Sequence, residues 1–129
     1  MSMNRTYQFG LLYLVKLLID ADGVADEKEI EALNAIRKQE SISDDIYKDF
    51  ENSIKVLTEK EVYEKSIALM NQCTREEKLK VFSTLYQLSE IDGRVHAKEI
   101  RLLLYSIQSV GITFEEVALA ANSKAMIDL

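Results

Sequence analysis

Asp22-Gly23-Val24-Ala25-Asp26-Glu27-Lys28-Glu29-Ile30 returns 70 residues further on as Asp92-Gly93-Arg94-Val95-His96-Ala97-Lys98-Glu99-Ile100. The shared pattern is Asp-Gly-x-x-x-x-Lys-Glu-Ile. Each copy follows an apolar run of helical character and opens another. Recurrence at a fixed offset is the mark of repeated structural units. The chain therefore reads as two related helical units. The same repeat sets two similar acidic turns within 129 residues.

The correspondence extends beyond the nine-residue motif. Leu18 matches Leu88, Leu33 matches Leu103, and Ile42 matches Ile112. Ser41-Ile42-Ser43 matches Gly111-Ile112-Thr113, a turn followed by a helix N-cap in both copies. Each unit is expected to run helix, Asp-Gly turn, helix, short turn, helix, over about 5–55 and 75–125, with 59–71 bridging them. Identity outside the motif is low, so duplication is an expectation that superposition of the two units tests.

Helix starts are well marked. Asp26-Glu27-Lys28-Glu29, Thr58-Glu59-Lys60-Glu61, Thr74-Arg75-Glu76-Glu77 and Thr113-Phe114-Glu115-Glu116 all fit the capping box. In that box an N-cap oxygen takes the N3 amide, and the N3 carboxylate reaches back to the N-cap amide. Ser43-Asp44-Asp45 starts a further helix, with acids near the positive end of its dipole. Seven helices follow, about 5–21, 27–39, 44–55, 59–71, 75–91, 97–109 and 114–125. The run Leu11 to Ile19, broken only by Lys16, predicts a central helix that is apolar nearly all round. Leu79, Phe82, Tyr86 and Ile91, with Leu85 and Leu88 beside them, have the spacing of a core stripe. No segment sustains the alternation of a strand. The prediction is all-α, in a single domain.

Composition narrows the function classes. The apolar fraction of 47% and charged fraction of 29% are ordinary for a globular protein. There is no proline, and there are four glycines, which favours long helices over a fold that needs many tight turns. A net charge of −6 argues against a nucleic-acid partner, which requires clustered Lys and Arg. It suits cations or a basic surface. Cys73 is the one cysteine, so an intramolecular disulfide and a Cys-based zinc site are excluded. Cys73 reads as a small buried apolar residue in a reducing, cytoplasmic compartment. No secretory leader is evident, and the Leu11–Ile19 run is too short to span a bilayer.

Two readings of the acidic turns stand side by side. In the structural one, Gly23 and Gly93 supply left-handed backbone at a helix end. Asp22 and Asp92 form the turn, and Glu29 and Glu99 cap the next helix. In the other, the turns gather oxygen ligands. With Gly23 at position 6 of an EF-hand-like loop, Asp20, Asp22 and Glu29 fall at positions 3, 5 and 12. Glu90, Asp92 and Glu99 take those places in the second copy. Position 1 is Leu18 or Leu88, so neither turn is a standard EF-hand. The first turn adds Asp26 and Glu27 and is the richer site. Ca²⁺ or another hard divalent cation prefers such oxygens.

At these residues the chain resembles the TerB-like family, named for tellurite resistance. Ala21-Asp22-Gly23…Glu29-Ile30 and Ile91-Asp92-Gly93…Glu99-Ile100 carry the resemblance. It implies a compact all-helical domain with internal pseudo-symmetry and acidic residues that take a divalent metal. It further implies a non-catalytic module of stress-response or membrane-associated complexes, with a protein partner. Similar domains precede the J domain of some membrane-anchored co-chaperones. No J-domain pattern or anchor stands in these residues, so that role does not carry over. Two positions depart from the pattern. Ala25 stands where the second copy has Val95, and His96 stands where the first has Asp26. Equivalent binding by both turns is therefore not expected.

An enzyme fits less well. His96 is the sole histidine and sits at a helix start, and the four glycines are isolated rather than gathered in a phosphate loop. A metal-dependent hydrolase using the same carboxylates would lack a base–nucleophile pair. The aromatics Tyr7, Phe9, Tyr13, Tyr47 and Phe50 read as core, with a partner groove formed by a few of them as the alternative. Val117 to Ala121 reads as a small-faced helix that closes the bundle or pairs two copies.

Overall fold

The computed structural model describes residues 5–22, 27–90 and 97–122, with the backbone alone at 21–22, 27–30, 89–90 and 97–100. Among the described residues there are seven helices and no strand: α1 (Arg5–Asp22), α2 (Glu27–Gln39), α3 (Asp44–Val56), α4 (Glu59–Met70), α5 (Arg75–Glu90), α6 (Ala97–Ser109) and α7 (Phe114–Asn122). The all-α expectation holds, and the boundaries agree to within a residue wherever both ends are described. The expected reach of α7 to 125 lies partly outside the described residues.

The capping chemistry explains that agreement. Thr58 Oγ1 accepts the Glu61 amide at 3.1 Å while Glu61 Oε1 accepts the Thr58 amide at 2.8 Å. Thr74 with Glu77, and Thr113 with Glu116, close the same reciprocal pair. Ser43 Oγ accepts the Ile46 amide at 3.3 Å. Each cap satisfies amides that the first helical turn leaves open and is worth about 1 kcal/mol. The box at Asp26 lies outside the described residues.

Helix α1 occupies the centre. Leu11, Leu12, Tyr13, Leu14, Val15, Leu17 and Leu18 are all buried, and Lys16 alone in that run keeps partial access to solvent. A helix apolar on every side needs neighbours on every side. It packs most extensively on α4 and also meets α2, α3, α5 and α6, while α5 takes α7. Gly10 leaves room for Met70 of α4, because a methyl built there would run into Cε of that fully buried side chain. Val117 and Ala121 are buried on α7, so the small-faced segment closes the α5 side of the core. Cys73 is buried, as its lone occurrence led us to expect.

The α2–α3 and α6–α7 connections share one backbone design. Ile42 N donates to Arg37 O and Ser41 N to Lys38 O. Seventy residues on, Ile112 N donates to Ile107 O and Gly111 N to Gln108 O. Each is a Schellman closure with a left-handed residue and a buried isoleucine after it. The left-handed residue is Gly111 (φ 78°) in one and Ser41 (φ 52°) in the other. A Cβ at Gly111 would meet nothing within 4 Å, so its cost there is purely conformational. The left-handed region disfavours a side chain by roughly 1–2 kcal/mol. Ser41→Gly is therefore expected to stabilise the fold by up to about 1 kcal/mol, and Gly111→Ser to destabilise it by about 1 kcal/mol. Urea unfolding of the two variants beside the parent checks both signs.

Candidate functional site

The sequence motif falls at helix junctions. Helix α1 ends at Asp22 and α2 begins at Glu27; α5 ends at Glu90 and α6 begins at Ala97. Of the seven candidate ligands, Asp20 is fully described. Its exposed carboxylate lies 3.2 Å from Lys16 Nζ, one helical turn away. An exposed pair of this kind contributes only tenths of a kcal/mol. Asp22, Glu29, Glu90 and Glu99 stand on helix ends, where the structure describes the backbone alone. Asp26 and Asp92 lie outside the described residues, as does His96. Among the described residues, no three His, Cys, Asp or Glu side chains come together to hold a metal.

A second feature lies at the other end of α1. A groove of about 720 Å³ runs between α1, α3 and α4. Phe9, Tyr13, Ala68 and Leu69 give it an apolar floor, and Val56 stands at its edge, 80% exposed. Ring contacts tie that floor to α3: Phe9 to Tyr13, Tyr13 to Phe50 and Phe50 to Tyr47, with centroids 5.6–5.7 Å apart. Arg5 lies over the Phe9 ring at 4.7 Å and pairs with Asp49 at 2.6 Å. Both partners of that pair are more than half exposed. Lys65 also lines the groove. The aromatics were expected to be core, and Phe9 and Tyr13 are indeed buried. The alternative reading, that a few of them form a groove, is met at Phe9 and Tyr13, which line this one. Val56 carried a further signal: it stands off the stripe that Ile46, Tyr47, Phe50 and Ile54 define.

The titratable groups of the interior are held in neutral or paired states. Glu40, with a side chain 3% exposed, accepts the Tyr7 hydroxyl at 2.7 Å and lies 3.4 Å from Lys80 Nζ. Tyr7 is fully buried. Burial first, and then the hydrogen bond to Glu40, drives its phenol well above the ordinary value of 10.0. Burial likewise pushes the Cys73 thiol up to about 11, with Glu77 adding to the shift. A thiol so raised stays protonated at neutral pH and is a poor nucleophile.

The family model described as "Tellurite resistance protein TerB" matches residues 8–122. The chain belongs to the TerB family. No curated protein and no solved structure matches it. The TerB match begins inside α1 and ends with α7, so it takes in both Asp-Gly turns and most of the groove. Arg5 and Thr6 of the groove precede it. Kinship with tellurite-resistance proteins therefore rests on the whole helical array rather than on one motif. No single helix among the described residues is long and apolar enough to cross a membrane.

The Tyr7–Glu40 contact yields a prediction with a definite sign. Above pH 10 the unfolded chain releases the Tyr7 proton while the folded chain keeps it. The unfolded state then binds fewer protons, so stability falls as pH rises. Cys73 adds a loss of the same sign between its ordinary value of 9.0 and about 11. Tyr7→Phe is expected to flatten the decline above pH 10. At pH 7 it is expected to cost about 1.5–3 kcal/mol, because a buried carboxylate loses a donor. Denaturant melts of the parent, Tyr7→Phe and Cys73→Ala between pH 7 and pH 11 resolve the two contributions.

Proposed function

We propose that this TerB-family chain is a non-enzymatic interaction module whose Asp-Gly turns take a divalent cation, Ca²⁺ or Mg²⁺ foremost. The observation that supports the reading is the recurrence in the sequence, 70 residues apart, of carboxylates about the end of one helix and the start of the next, α1–α2 and α5–α6. A cation there would join the end of one helix to the start of the next. Oxygen donors from Asp20, Asp22, Asp26 and Glu29 suit a hard ion in the first turn. Glu90, Asp92 and Glu99 offer a poorer set in the second, where His96 replaces the acid. Asp20 supports the reading in a further way, since its exposed contact with Lys16 is weak enough to exchange for an ion. A binding role is supported by the raised Cys73 thiol, a poor nucleophile, and by Glu40 being engaged by Tyr7.

Thermal unfolding tests the cation directly. A ligand that binds the native state alone must raise its melting temperature. In EDTA followed by titration of Ca²⁺, Mg²⁺, Mn²⁺ or Zn²⁺, a saturable and ion-specific rise is expected. At a concentration 100 times Kd the added stability is about 2.7 kcal/mol. Asp22→Asn is expected to abolish the rise while leaving the melting temperature in EDTA nearly unchanged. Indifference to all four ions, or unfolding of Asp22→Asn in EDTA, would make the turn a structural device only.

A further inference from the structure

We draw no further inference here: the strongest candidate, the groove between α1, α3 and α4 with its apolar floor and the exposed Val56 at its edge, carries nothing, because its Arg5 is engaged by Asp49 and nothing in the structure shows what covers it.

Discussion

A helix without a solvent face sets the terms for this fold. Between Leu11 and Leu18 every residue of α1 is buried except Lys16, whose ammonium reaches out to Asp20. Fully burying a leucine-sized side chain is worth about 1.5–3 kcal/mol relative to leaving it in water. Seven such residues in one run make exposure of any side of α1 unfavourable. The remaining helices must therefore surround it, and α2 to α6 all touch it. Gly10 fits the same demand, since the space a side chain would take there is filled by the terminal methyl of the buried Met70 on α4.

Around that centre, backbone chemistry recurs while side-chain chemistry diverges. The left-handed closures at Ser41 and Gly111 use the same hydrogen bonds at the same offset. Glu40 and Val110 occupy equivalent places in those closures, and both are buried. One is a carboxylate that requires Tyr7 and Lys80; the other needs nothing but apolar contact. Arg5 and Arg75 also correspond, yet Arg5 pairs with Asp49 on α3, whereas Arg75 reaches Glu116 at the start of α7 and the Gly111 carbonyl. The turns are held by backbone geometry and tolerate such change. The groove lies where α4 runs along α1, and Arg5, Asp49 and Lys65 are among its lining residues.

The helices were legible because their signals are local. A Thr or Ser oxygen with a Glu three residues on states its geometry within four residues, and the structure forms three such boxes in full. The apolar run of α1 was legible for the same reason: a helix with no polar face has only one place to go. Family membership was legible from the Asp-Gly turns, and the matched span confirms it across 8–122. The left-handed Ser41 was not, since serine gives no warning of positive φ where glycine does. Nor was the Tyr7–Glu40–Lys80 cluster, whose members are 33 and 40 residues apart and meet only when α1, α2 and α5 assemble. Which of the aromatics would border a groove was hidden likewise. Phe9 and Tyr13 have the spacing of core residues and are core residues, and periodicity cannot say that the same rings also border an opening.

The groove and the acidic turn share one helix, and its burial bears on how they relate. The groove takes the first turns of α1 and the acidic turn takes its last. From Phe9 to Asp22 is roughly 20 Å at 1.5 Å per residue. Coupling over such a distance needs an element with two arrangements of similar energy that both sites bias. Helix α1 is a poor candidate for that element. Its sides are filled by Leu, Val and Tyr side chains packed at core density, and a shift of one turn would move Lys16 or Asp20 into the apolar interior. The cost of burying such a charge exceeds the 1–3 kcal/mol over which two ligands usually influence one another. The helix acts as a strut rather than a lever. A cation at the α1–α2 junction would therefore add stability to the whole fold without shifting α1.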